Sequence, residues 1–232
     1  MNVRAFGLPV LALAAALPAS GFAPSPAPEK KRVELSKNVF FEKEGEARRV
    51  ILPAKIVLRE GQLEGLLTRK GTKEHEYILA VDADARMIHA ALIAAGAKPG
   101  KPVRFDPKYM PATGSEIKIT LRYKKDKETV TVPAREWIRS SKTKKPLDIN
   151  WVFGGSLEVP DFDDPTKKLY LANQGDLVCV CNMETAMLDL PVASPKALEE
   201  RVFDADTEKI PPLGTEVEII LEVVPEKKDK EK

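Results

Sequence analysis

Few side chains in this 232-residue sequence could do chemistry, because it holds two histidines and two cysteines. The stretch KEHEYIL, Lys73 to Leu79, sets His75 between Glu74 and Glu76. An imidazole among carboxylates can act as a general base, or as a zinc ligand where further ligands converge. The zinc signature HExxH is not met, since Ile78 and Leu79 stand where its second histidine would fall. His89 lies in the next segment and could join His75 only through tertiary packing. A metal-assisted hydrolase built on His75, Glu76 and His89 is one reading, since three protein ligands suffice for catalytic zinc. The other makes Glu74, His75 and Glu76 hydrogen-bonding partners near the start of a strand, with no catalytic group and no metal.

Cys179 and Cys181 are separated by one residue, so in a strand both thiols share a face. A disulfide between them requires the strand to buckle. The pair is expected to be reduced and buried, acting as small apolar side chains; a thiol redox role is the alternative. Ser156 follows two glycines, but Gly154-Gly155-Ser156-Leu157-Glu158 is not the GxSxG elbow of a serine nucleophile. DFDDP, Asp161 to Pro165, lacks the glycine and terminal glutamate of a calcium loop and reads as a solvated acidic turn. Phosphate-binding, dinucleotide-binding and haem-attachment motifs are missing, so no cofactor is expected.

The elements that must position these residues are mostly strands. VILPAKIVL (Val50 to Leu58), EIKITLRY (Glu116 to Tyr123), ETVTVP, INWVF, LYLAN and LVCVCN are apolar or alternating and bounded by turn residues. QLEGLLT and EHEYILAV flank Arg69-Lys70-Gly71-Thr72 and read as a hairpin, with His75, Tyr77 and Leu79 on one face of its second arm. Met87, Ile88, Ala91, Leu92 and Ala95 recur at helical spacing. They predict a helix over Ala85–Ala95, capped by Asp82 or Asp84 and ended at Gly96. PAREWIRS suggests a short helix, and a further helix is expected over Pro195–Val202 with Ser194 as its cap. ATGSEIKITLRY and PLGTEVEIILEV echo one another, as two loop-to-strand passages with the same turn requirement.

Residues 1–23 have the layout of a secretory signal peptide: Arg4, an uncharged apolar run to Leu17, then small residues at Ala19 to Ala23. The run is shorter than the roughly 20 apolar residues of a membrane span, and Pro18 interrupts it. No integral membrane segment is therefore expected after signal cleavage. Residues 24–44 begin with the proline-rich APSPAPEKK and are assigned to a tether. Residues 45–224 form the domain and 225–232 a disordered charged tail. A formal net charge of +2, one unit of it from Arg4, excludes a dedicated nucleic-acid binder, whose affinity rests on a basic surplus.

KEHEYI, IHAALIAAGAKPG, WVFGGS, the Gly175-Asp176 turn before LVCVCN, AMLDLP and IPPLGTEVEI together resemble the YdjY-like domain family in order and spacing, across roughly residues 45 to 224. The resemblance implies a bacterial secreted, periplasmic or envelope protein whose activity is not established. Its matching positions are Glu74, His75, Glu76, His89, Gly96, Trp151, Gly155, Ser156 and Asp189. Some relatives carry an iron–sulfur label, which two cysteines cannot satisfy here. The expected fold is α+β, mainly an antiparallel β-sheet with the two helices named above. The expected function is a non-catalytic secreted or envelope module binding a protein or a cell-surface polymer. Glu74, His75, Glu76, His89 and Ser156 are its candidate polar site, and Cys179 and Cys181 its thiol pair.

Overall fold

The computed structural model describes residues 30–194 and 202–225. In chain order the strands are β1 (Lys30–Ser36), β2 (Val39–Glu44), β3 (Ala47–Ile56), β4 (Gln62–Leu63), β5 (Gly65–Arg69) and β6 (Tyr77–Val81). After helix α1 (Ala85–Ala94) come β7 (Glu116–Lys125), β8 (Glu128–Pro133), β9 (Ile138–Ser140), β10 (Trp151–Phe153), β11 (Glu158–Pro160) and β12 (Lys168–Tyr170). The last four are β13 (Val178–Cys179), β14 (Leu188–Asp189), β15 (Phe203–Ala205) and β16 (Glu216–Val223).

The α+β expectation is overturned. Strands make up 44% of the described residues and helical residues 10%, and eight strands close into a β-barrel. The ring runs β3, β16, β7, β10, β14, β13, β5, β6 and returns to β3. Closure is possible because β3 and β7, ten residues each, are long enough to share one edge between two partners. Along that edge β3 meets β2 through Phe40–Glu44 and β6 through Leu79 and Ala80. The other half of β7's outer edge carries β8, and β1 and β2 extend the sheet beyond β3. The interior is packed, not open. Ile119, Leu121, Ile219 and Leu221 point inward by the alternation of β7 and β16, and with Leu52 of β3 they join one apolar cluster with Ile88, Ala91 and Leu92 of α1. A leucine-to-alanine change at such a site costs about 2–5 kcal/mol.

Helix α1 follows its sequence signals closely. The Asp84 carboxylate accepts from the Arg86 N–H, and Gly96 takes φ +99° just beyond the helix. The Ala97 and Gly96 N–H groups donate to the carbonyls of Leu92 and Ile93, which closes the terminal turn. α1 is the single α-helix among the described residues. The segment PAREWIRS gives a 3₁₀ turn over Ala134–Trp137 and then β9. The helix expected over Pro195–Val202 falls on residues 195–201, outside the described residues. The signal peptide and charged tail lie outside them too, and no helix among the described residues is long and apolar enough to cross a membrane.

Three further expectations change. The hairpin around Arg69–Thr72 is instead a parallel pair, with Leu67 beside Leu79 and Arg69 beside Val81, because the connection carries the chain back to the start of β5. The second arm starts at Tyr77, so Glu74, His75 and Glu76 precede the strand. Lys30 to Glu44, assigned to the tether, is a β1–β2 hairpin with Val33 opposite Phe41. The two echoing segments do reach equivalent places: Gly114 and Gly214 both have positive φ, and β7 and β16 lie side by side.

Candidate functional site

The sequence-predicted polar residues fall in two settings, Glu74 to Glu76 ahead of β6 and His89 beside the Gly155-Ser156 turn. His75 is 75% exposed in its side chain and lies 3.8 Å from Glu76. His89 is half-buried on α1, where Nδ1 meets the Tyr170 hydroxyl at 2.8 Å and the ring packs edge-on against Phe153 at 4.7 Å. The Tyr170 hydroxyl donates to the Gly155 carbonyl at 2.8 Å, which locks the pair to the glycine turn. Burial lowers the His89 pKa, with Glu158 acting in the opposite sense. Ser156 holds φ +58°, and its hydroxyl donates to the Thr185 carbonyl at 2.6 Å. That bond ties the Ser156 turn to the Thr185 loop. Among the described residues, no three His, Cys, Asp or Glu side chains gather as a metal site.

A different cluster converges at one end of the barrel. Asp176 is 2% exposed, and its carboxylate accepts from the Tyr77 hydroxyl at 2.6 Å, the Lys73 ammonium at 2.9 Å and the Thr185 hydroxyl at 2.5 Å. Two glycines make the approach possible. A Cβ on Gly65 would lie 2.1 Å from Tyr77 Cε1, and one on Gly175 would lie 2.7 Å from Thr72 Oγ1. Lys73 also faces Glu64 at 3.6 Å. Burial pulls the Lys73 pKa down, but the hydrogen bond and charge of Asp176, with Glu64, outweigh it and leave it raised.

Cys179 touches the Tyr77 hydroxyl at 3.3 Å. Burial first, and then the charges of Asp176 and Asp189, push its thiol well above the ordinary range. A thiol held protonated in this way is a poor nucleophile and a poor redox centre. Neither cysteine is in a disulfide, and both are buried. β13 covers just Val178 and Cys179 with an irregular register, so the regular strand expected to carry both thiols ends between them. Asp189 is also buried, and burial pushes its carboxyl up to about 7 against the N–H donors of Leu190, Met183 and Asn182.

The concave surface lies elsewhere. A trough of about 1030 Å³ crosses the outside of the barrel where β8, β7, β16, β3 and β6 run side by side. Its floor presents Thr129, Lys124, Arg122, Glu216, Glu218 and Lys55, and Asn38, Lys70 and Glu74 line it as well. Asn38 donates to the Asp82 carbonyl and the Lys70 N–H to that of Val81, so these two meet at the end of β6. Most of these charges are already paired. Glu218 accepts from Arg122 Nε at 2.7 Å and from Arg32 Nη1 at 2.6 Å, while Lys55 faces Glu216 at 3.6 Å. Burial raises the Glu218 pKa, but hydrogen bonds from Arg32 and Arg122 leave it lowered. Of the candidate polar site Glu74, His75, Glu76, His89 and Ser156, Glu74 alone lines the trough.

The family profile of the YdjY domain matches residues 41–222, which span the whole barrel and the trough floor. The chain belongs to the YdjY domain family. No curated protein and no solved structure matches it significantly. The YdjY domain of this chain therefore begins within β2 and ends within β16, and β1 lies outside the matched span. Within the domain, sequence reasoning missed Lys73, Tyr77, Asp176 and Thr185 as a cluster. The available signal was Gly175-Asp176 directly before a wholly apolar run, where a carboxylate must be buried or partnered.

Proposed function

We propose that this YdjY domain is an exported, non-catalytic module of the cell envelope that binds a protein or a cell-surface polymer in the trough. The observation that carries the reading is the trough's shape. Its lining spans five adjacent strands, roughly 19 Å at ~4.8 Å per gap. Such a furrow suits an extended chain better than an enclosed small molecule. Its charges are of both signs and are largely paired within the fold, so they can hold a shaped polar surface at low reorganisation cost. The groups a hydrolase would use have other settings: His75 projects into solvent, His89 is bonded to Tyr170, and Ser156 is bonded to a carbonyl.

Two experiments test this. A photo-crosslinking residue at Lys124, in the trough, should trap a discrete envelope protein or a polymer ladder in cells, whereas the same residue at Asp163, on the β11–β12 turn, should not. In parallel, Lys55→Glu with Lys124→Glu should reduce co-sedimentation with purified peptidoglycan sacculi or abolish the protein crosslink. Equal yields from both positions, with no effect of the charge reversals, would refute the assignment.

A further inference from the structure

We propose that β1 is a self-pairing edge through which two copies of the chain associate, independently of the trough. Among the described residues β1 pairs with β2 alone, which leaves the other side of its backbone without a ladder there. Val33 is 57% exposed although it stands opposite Phe41, which packs on the core. Exposed apolar residues on an open edge mark a site where another strand can add.

Symmetry and charge together fix the register. Two copies joined edge to edge by a two-fold axis normal to the sheet run antiparallel and keep their inner faces on the same side. Opposed residues must then share a face, so the pairing is centred on a single residue. Centring on Arg32 sets Arg32 against Arg32, and centring on Glu34 sets Glu34 against Glu34. Centring on Val33 sets Val33 against Val33 and places Arg32 opposite Glu34 of the second copy, twice. Lys30 and Lys31, the kind of charge that ordinarily blocks an edge, then oppose Ser36 and Leu35 and never another cation.

Arg32 now lies over the Phe40 ring at 4.4 Å and must swing toward the open edge to meet Glu34 of the second copy. Within its own chain, Glu34 accepts a long 3.4 Å bond from the Asn38 N–H. Arg32 donates Nη1 to Glu218 at 2.6 Å, and Glu218 keeps Arg122 as its partner when Arg32 turns to the second copy. Lys30 is occupied by Glu42 at 3.0 Å. The ladder is irregular between Glu34 and Ser36, so the regular pairing is short and the association is concentration-dependent.

Sedimentation equilibrium of the protein from micromolar to millimolar concentration should show a monomer–dimer equilibrium that weakens with added salt. Glu34→Arg should weaken it at least about tenfold, by setting two pairs of like charges face to face. A short bifunctional thiol reagent should link Val33→Cys into dimers far better than Glu34→Cys, since only position 33 opposes itself. The native thiols give little background, being 0% and 6% exposed. Circular dichroism and urea midpoints establish that the variants are folded. A chain that stays monomeric at millimolar concentration, a dimer that survives Glu34→Arg, or equal crosslinking from positions 33 and 34 would overturn the proposal.

Discussion

Replacing Asp176 removes the acceptor shared by Tyr77, Lys73 and Thr185, and the cost can be worked from their surroundings. Asp176→Ala leaves the Tyr77 hydroxyl, fully buried, with the Cys179 sulfur at 3.3 Å. A buried donor left in that state costs about 1–3 kcal/mol. Lys73 is different, because its side chain is 31% exposed and water recovers much of its solvation; its share is about 1 kcal/mol or less. Thr185 is half-buried and adds about 1 kcal/mol more. The expected loss is about 2–5 kcal/mol in urea unfolding, overlapping the range for breaking a buried charged pair. Asp176→Asn keeps an acceptor for Tyr77 and gives up the charge, so it should cost about half as much. Combined with Tyr77→Phe in a double-mutant cycle, Asp176→Ala should show a coupling of about 1–2 kcal/mol. A loss under about 1 kcal/mol for Asp176→Ala, or a coupling near zero, would refute the view that this carboxylate organises the end of the barrel.

Asp189 sets a pH dependence of definite sign. Its folded-state pKa of about 7 lies above the ordinary 3.8, so its contribution is complete below that ordinary value and is lost as pH rises through about 7. Urea unfolding should therefore give lower stability at about pH 8 than at about pH 5, by a few kcal/mol at most, and Asp189→Asn should remove this difference. Gly65→Ala should destabilise by about 1–3 kcal/mol through overpacking against the Tyr77 ring, and a thermal midpoint equal to that of the unchanged protein would count against that packing. Cys179 and Cys181 should resist a thiol reagent in the native protein and react fully once it is denatured; rapid native labelling would contradict their burial.

Local signals made α1 legible. Asp84 as cap, Gly96 beyond the end and the helical spacing of Ile88, Ala91 and Leu92 all act within one segment. Strands were legible for the same reason: the alternation in EIKITLRY and EVEIILEV survives as β7 and β16. Pairing was not. Nothing local separates an antiparallel hairpin from the parallel β5–β6 pair, and the β3–β6 closure rests on two opposed residue pairs. The buried cluster was obscured by distance along the chain, since Lys73 and Tyr77 meet Asp176 across 103 and 99 positions. In KEHEYIL the conspicuous central residues, Glu74, His75 and Glu76, drew attention, whereas the flanking Lys73 and Tyr77 carry the network.

The trough lies astride the joint where β3 and β6 close the ring. Lys55 on β3 and Ala80 on β6 face one another across the closure, and both belong to its lining. An occupant lying along the furrow would touch both sides of that joint and staple them together. Occupancy would then be felt as resistance to unzipping, so that a raised melting temperature, with no catalytic readout at all, becomes a practical way to search for what this surface holds.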